Sequence, residues 1–521
     1  MKNIVFITGG VVSSLGKGII AASTARLLKD QGIKVNMMKC DPYLNVDPGT
    51  MSPIEHGEVF VTQDGGETDL DLGHYERFLG SNLTKNSSLS SGKIYAKVLE
   101  KERAGEYLGK TVQIVPHITN QIQKKILQNT ENYDVLFVEI GGTVGDIESL
   151  PYLEAIRQLT LNQEINTFLI HLTYVPYLKS SKELKTKPTQ HSVKELQGLG
   201  LMPNMIVTRN EIELSKKEKE KISLFCNVPK QNVIQSVDIN TVYKLPLMLK
   251  DQEVDQIISQ YFNFKLKKSN HKELREVVQK IENTKKEVTI GIIGKYTQLE
   301  DSYKSVIEAI KHAAIFEEIK PNIKLIASQT VTEKELQHLD AIIVPGGFGN
   351  SGIQGKKIAI QYAREKNIPF LGICLGMQLA TQEYAQNVGN TKVNHQELDE
   401  TNKNNIIKLM DEQDVNNLGG TLRLGNYECQ LKEGTLAKEI YQKDIIQRRH
   451  RHRYEFNNEY IKLLEDNGMI ISGTNPQRNL VEIVEIPQHK FFIAVQYHPE
   501  LSSKLTEPEP LFKSLIHSIF K

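Results

Sequence analysis

Short apolar runs at Asn3–Thr8, Lys34–Lys39, Asp134–Ile140 and Asn204–Thr208 alternate with segments of helical spacing, of which Ile19–Leu28 is the clearest. Runs of four to eight residues bounded by turn residues are the mark of strands buried on both faces. Their alternation with helices predicts a parallel sheet covered by helices. The pattern lapses between about Phe264 and Glu287, where Lys-Leu-Lys-Lys-Ser-Asn-His-Lys-Glu and a further charged stretch carry few large apolar groups, and resumes at Val288–Ile293, Ala341–Val344, Pro369–Ile373 and Phe491–Gln496. The expected organisation is an α/β domain over residues 1–265, a linker with some helix over 266–287 and a second α/β domain over 288–521. Residues 387–417, rich in Asn, Asp and Glu, are expected to form a surface excursion.

A length of 521 residues agrees with two domains, because single cores stop growing at about 250–300 residues. Lys+Arg 64 against Asp+Glu 63 leaves no overall field to attract a nucleic acid or an anionic membrane, so any anion site must be local. Cys40, Cys226, Cys374 and Cys429 show no metal-binding or disulfide spacing, which suits a reducing, cytoplasmic setting. No apolar run reaches the ~18 residues of a membrane span.

Two segments carry chemistry. Gly9-Gly10-Val11-Val12-Ser13-Ser14-Leu15-Gly16-Lys17-Gly18 lies between the first strand and a helix. Glycines there let backbone N–H groups approach phosphate oxygens, the helix start adds positive potential, and Lys17 adds a full charge. Gly18 stands where a metal-binding hydroxyl is usual, so a metal would depend on carboxylates; Asp69, Asp71 and Glu139 are the candidates. The second segment, Gly372-Ile373-Cys374-Leu375-Gly376, runs from a strand into a helix. A lone cysteine is ordinarily a small core residue, but Tyr497-His498-Pro499-Glu500 and Pro345-Gly346-Gly347 supply a base, an orienting carboxylate and an oxyanion donor in matching order.

The cysteine, histidine and glycine-loop segments resemble the class I glutamine amidotransferases, in which a cysteine thioester of glutamine releases ammonia. The N-terminal part is more particular. Lys39–Pro53, His56–Val61, Asp69–Phe78, Gly141–Ser149 and Lys185–Val193 resemble the CTP synthase family, and the likeness spans essentially the whole chain. The resemblance implies ATP-dependent amination of UTP to CTP through a 4-phosphorylated UTP, with ammonia from glutamine passing internally, activation by GTP and inhibition by CTP.

It also implies roles. Cys374, His498 and Glu500 would be catalytic. Ser14, Leu15, Gly16, Lys17, Gly18, Ile19, Lys39 and Asp71, with Val237, Asp238 and Ile239 by the adenine, would bind ATP, and Asp71 and Glu139 would bind Mg²⁺. Ser13, Asp146, Ile147, Glu148, Lys185, Thr186, Lys187, Pro188, Thr189, Gln190 and Lys221 would hold UTP or CTP. Gly347, Leu375, Gly376, Met377, Gln378, Glu397 and Arg453 would hold glutamine. The GTP lid would be Leu418–Gly425, with a departure at Asn350-Ser351, where many relatives carry an arginine. A homotetramer is implied, with neither a nucleic acid nor a membrane as partner.

Three other readings compete. The run Gln447-Arg448-Arg449-His450-Arg451-His452-Arg453-Tyr454 could be a nucleic-acid patch, though one short patch in a neutral chain offers few phosphate contacts; a solvated or glutamine-facing strand is expected instead. A P-loop amidotransferase acting on a carboxylate of a large cofactor would need a longer substrate domain. A catalytically dead scaffold would not need Lys17, Cys374, His498 and Glu500 together.

Overall fold

The computed structural model describes residues 1–399, 401, 403–410 and 422–521. The chain forms two compact units. One comprises residues 1–47 and 74–278, the other residues 48–73 and 279–521.

The first unit is built on a seven-stranded sheet in the order Val233–Val237, Met205–Asn210, Ile165–Tyr174, Lys2–Gly9, Val135–Ile140, Val35–Asp41, Ser88–Ser90. All of its pairings are parallel. Ile4, Phe6, Met38, Leu136 and Val138 are completely or almost completely buried between covering helices, which is why these strands read as continuous apolar runs. Lys2–Gly9 sits in the interior, with Ile7 opposite Glu139 on one side and Ile170 on the other. The loop after it therefore opens at the carboxyl ends of the strands, where such sheets bind ligands.

The second unit carries a nine-stranded sheet among the described residues. Lys320–Ala327, Glu287–Gly294, Ala341–Val344, Phe370–Ile373 and Phe492–Val495 run parallel, and Val481–Glu485, Ile470–Thr474, Arg423–Leu431 and Ile445–His452 extend it antiparallel. Apolar clusters pack against it, one around Ile290, Ile310, Ile493 and Phe512, the other around Ile342, Phe370, Leu379 and Phe492. Among the described residues no helix is long and apolar enough to cross a membrane.

Two features differ from the sequence reading. Residues 48–73 pack as part of the second unit, although they lie within the first α/β pattern. The helical part expected in the linker is Lys272–Asn283, with Leu274 and Val277 buried. Residues 387–417 are not simply an excursion: Asn394–His395, Asn405–Leu409 and Tyr454–Phe456 form a small sheet, and Val393, His395, Ile406 and Ile407 are buried. A few apolar residues inside a polar stretch are lost when polarity is averaged over it. Residues 411–417 of that stretch lie outside the described residues.

Ile406 and Ile407 separate the two accounts of this stretch. Each replaced by alanine should cost about 2–5 kcal/mol as a core position, read as a lower urea midpoint of the unit's unfolding. A surface excursion would leave the midpoint within about 0.5 kcal/mol of wild type.

Candidate active site

The strand Phe370–Ile373 ends at Cys374, and the helix Leu375–Asn387 begins with the next residue. Cys374 has φ 54° and ψ −106°, a conformation that L-residues rarely adopt. It is held by its N–H donating to the Val495 carbonyl at 2.7 Å. The turn needs glycine at 376, because a Cβ there would collide with the Val344 carbonyl. The Cys374 thiol lies 3.8 Å from the Arg451 carbonyl and 3.7 Å from Gln496 Nε2, directly before a helix whose first amides have no intrahelical acceptor.

His498 and Cys374 both border Gly346: a Cβ built there would lie 2.9 Å from His498 Cε1 and 3.4 Å from Cys374 Cβ. His498 Nδ1 donates to Glu500 Oε1 at 2.7 Å. Nε2 has no hydrogen-bond partner among the described residues, so it is open to take and return the thiol proton. Burial alone would lower the proton affinity of this imidazole, but Glu500 and Cys374 together outweigh it and push His498 up to about 10.

The rest of the glutamine-site candidates divide by what their side chains do. Glu397 accepts the Gly349 N–H at 2.9 Å, and burial raises its carboxyl although that N–H, Arg453, Lys295 and Lys356 oppose the shift. The Gln378 amide is engaged internally, with Tyr454 O and Gln496 on Nε2 and His395 on Oε1. Met377 has its side chain in the core, and Gly347 stays in the loop beside Lys356 and Leu375. Arg453 lies between the strands Ile445–His452 and Tyr454–Phe456, with its carbonyl accepting the Met410 N–H at 3.0 Å.

In the first unit, Gly16 at φ +91° precedes the helix Lys17–Asp30, and Val11 and Ser14 also have positive φ. Lys17 Nζ donates to the Gly142 carbonyl at 2.5 Å, and the Val144 N–H donates to the Gly9 carbonyl at 2.8 Å. These bonds bring the 141–148 loop, with Asp146, Ile147 and Glu148, beside the phosphate loop. Asp146 accepts the Thr143 N–H at 2.7 Å. Asp238 pairs with Arg209 at 3.0 Å, and Arg209 lies beside Gly16. Of the 185–190 segment, Thr186, Thr189 and Gln190 are buried and bonded within the unit, whereas Lys187 is exposed. Lys185 pairs with Glu183, whose carboxyl is lowered by Lys185 first and also by Lys221.

Glu139 is buried at the end of its strand, opposite Lys39, and accepts a hydrogen bond from the Tyr75 hydroxyl. Asp71 opens the helix Asp71–Leu79. Carboxylate oxygens suit Mg²⁺, but among the described residues no group of three or more His, Cys, Asp or Glu comes together as a metal cluster. Mg²⁺ characteristically takes only one or two protein carboxylates and keeps water and substrate phosphate as its other ligands. Of the expected GTP lid, residues 418–421 lie outside the described residues.

The N-terminal part matches the family model for the CTP synthase N-terminus over residues 3–264, and the C-terminal part matches class-I glutamine amidotransferase over residues 298–518. The CTP synthase of Bacillus subtilis (strain 168) is 53% identical over 526 residues, covering 99% of this chain and 98% of that protein. That of Staphylococcus epidermidis (strain RP62A) is 54% identical over 529 residues, covering 99% of each. The chain belongs to the CTP synthase family. It is a glutamine-dependent ligase. Among solved structures, the Trypanosoma brucei CTPS glutaminase domain with bound acivicin is 34% identical, covering 45% of this chain and 94% of that one, with a TM-score of 0.42.

Several residues of this site were not visible as such in the sequence. The basic run is a strand whose arginines are committed within the second unit: Arg448 pairs with Glu509 at 3.3 Å, Arg449 donates to the Val61 carbonyl at 3.0 Å, and Arg451 pairs with Glu67 at 2.8 Å. It is not the solvated strand that is one of the expected alternatives. Between the arginines, His452 Nδ1 donates to the Tyr454 carbonyl at 2.9 Å, which leaves His452 Nε2 to accept from His450 Nδ1 at 3.0 Å. His450 Nε2 then faces Glu482 Oε2 at 3.7 Å, and Glu482 pairs with Arg423 at 2.8 Å. Burial, with Arg423, holds both imidazoles well down, and burial pushes Glu482 up to about 7. The alternation of Arg and His along this strand was the available signal, since two faces of a strand need not both meet water. Lys356 was missed too; it is buried beside Gly347 with Nζ donating to the Pro345 carbonyl at 3.4 Å, and burial lowers it to about 8.

Glu500→Gln should remove the charge that most favours the His498 imidazolium, so that the proton leaves at lower pH and the thiolate loses its counter-ion. Alkylation of Cys374 by iodoacetamide at pH 7 should then slow about tenfold, the equivalent of one unit of proton affinity, and recover at higher pH. An unchanged pH profile would contradict the assignment.

Proposed function

We propose that the Cys374–His498–Glu500 constellation generates ammonia from glutamine and that the phosphate loop, Lys39, Asp71 and Glu139 serve the activation of UTP. The family membership carries the coarser statement: glutamine-dependent conversion of UTP to CTP, with ATP as co-substrate. The observation that supports the finer reading most is the His498–Glu500 bond of 2.7 Å beside a cysteine held at positive φ where a strand meets a helix.

In this reading the Cys374 thiolate attacks the glutamine carboxamide carbon, and the N–H groups of Leu375 and Gly347 hold the oxyanion. His498 gives a proton to the departing nitrogen, ammonia leaves, and a γ-glutamyl thioester remains. Water, deprotonated by His498, releases glutamate. Glu397 and Arg453 orient the amino acid's charged ends.

A UTP carbonyl oxygen is a poor leaving group, so it is first phosphorylated by ATP; ammonia adds at C4, and phosphate departs. Residues Ser14–Ile19 wrap the triphosphate, Lys17 and Lys39 offset the transferred charge, and Val237–Ile239 lie by the adenine. Ser13, Asp146–Glu148, Lys185–Gln190 and Lys221 serve UTP or the inhibitor CTP, Thr186, Thr189 and Gln190 by shaping the backbone. Asp71 and Glu139 would hold Mg²⁺, whose charge neutralises phosphate oxygens when bound. GTP activation, a homotetramer and a cytoplasmic location complete the proposal.

Incubation with ATP, Mg²⁺, UTP and glutamine should form CTP, seen as the change in pyrimidine absorbance. Cys374→Ala should lose at least about a hundredfold of the glutamine-dependent rate, as nucleophile removal does elsewhere, and keep synthesis from ammonium chloride. Equal loss of both rates would contradict the division of labour.

A further inference from the structure

The strand Ile445–His452 does two things at once. On its main chain, the Arg449 carbonyl accepts the His498 N–H at 2.8 Å and the Arg451 carbonyl lies 3.8 Å from Cys374 Sγ, so residues two apart set both the base and the nucleophile. Through its side chains, the same two residues grip the hairpin Phe60–Val61/Glu67–Thr68. Arg449 donates to the Val61 carbonyl with its guanidinium 5.3 Å from the Phe60 ring centre. Arg451 donates through Nε to Glu67 at 2.8 Å and through Nη2 to the Gly49 carbonyl at 3.0 Å. The Arg451 guanidinium also lies 5.1 Å from the ring centre of Phe348, which belongs to the Gly346–Gly349 loop that carries the oxyanion donor.

Glu67 is 5% exposed, so its charge is taken from water and depends on Arg451 for compensation. The pair is closely fitted: a Cβ at Gly49 would collide with the Glu67 carboxylate. The adjoining turn is seated as well, with the Asn426 N–H donating to the Gln63 carbonyl at 2.9 Å. Residues 48–73, which fall within the CTP synthase N-terminus match, are thus fastened to the strand that sets the thiol.

We propose that Arg451, held by Glu67, is a positioning residue for glutamine hydrolysis: it fixes the Phe348 loop and the strand beside Cys374, and makes their geometry depend on the 48–73 segment. The inference rests on the functional reading above and adds a residue pair to it. Arg451 touches no reacting atom with its side chain. Its loss should misplace the oxyanion donor relative to the nucleophile, an error that lowers the chemical step more than binding.

The test uses the full chain with Arg451→Met, Glu67→Gln, the double variant and Gly49→Ala. Glutamine hydrolysis, CTP formation from glutamine and CTP formation from ammonium chloride are measured with ATP, UTP and Mg²⁺ present. Each single change should lower kcat for glutamine hydrolysis about tenfold to a hundredfold with KM for glutamine within about twofold, and the ammonia-dependent rate should stay near wild type. The double variant should be no worse than the poorer single, because the two residues act as one unit, and Gly49→Ala should reproduce Glu67→Gln. Multiplicative losses in the double variant, a change confined to KM, wild-type glutamine hydrolysis in the single variants, or equal loss of the ammonia-dependent rate would overturn the inference. Absence of CTP formation by the unmodified chain would overturn the functional reading instead.

Discussion

A single residue in an unfavourable backbone conformation organises the glutaminase unit. Cys374 at φ 54° can exist only because the parallel strand before it and the helix after it are both fixed by larger cores, with Leu371 and Ile373 packed on one face and Met377 and Leu379 on the other. Strain of this kind costs of order 1–3 kcal/mol and persists where the surroundings over-determine it. What it secures is a thiol at a helix start, with the histidine base delivered by the end of the neighbouring strand Phe492–Val495.

Around that turn the protein has placed an unusual amount of charge in the interior. His498 with Glu500, Arg423 with Glu482, Arg448 with Glu509 and Arg451 with Glu67 are all pairs with at least one side chain largely out of water. Such pairs contribute little net stability relative to apolar packing, but removing one partner is costly. They are better understood as geometry than as glue. A strand that alternates Arg and His can direct guanidinium groups to carboxylates and imidazoles to one another, and so hold two carbonyls at fixed distances from a base and a nucleophile.

The chemistry most legible in the sequence was local. The phosphate loop and the cysteine turn each announce themselves within about ten residues, because only small residues allow the backbone conformations and close approaches that they require. The parallel strands were legible because burial on both faces makes them apolar throughout. Pairings across long sequence distances were not legible. Nothing near Glu67 signals Arg451, and nothing in residues 48–73 signals that they pack with the distant C-terminal sequence. The antiparallel extension was hidden for a related reason: Arg423 and Ile445–His452 look like surface positions until their carboxylate partners are known.

In the proposed reaction the thiol of Cys374 forms a bond to the side-chain carboxamide carbon of glutamine. Quenching the enzyme in acid during turnover and mapping its cysteine peptides by mass spectrometry tests this most directly. A γ-glutamyl adduct on the peptide containing Cys374, with Cys40, Cys226 and Cys429 unmodified, is the predicted result. Turnover of glutamine with an adduct on another cysteine, or with no adduct at any time during turnover, would contradict it.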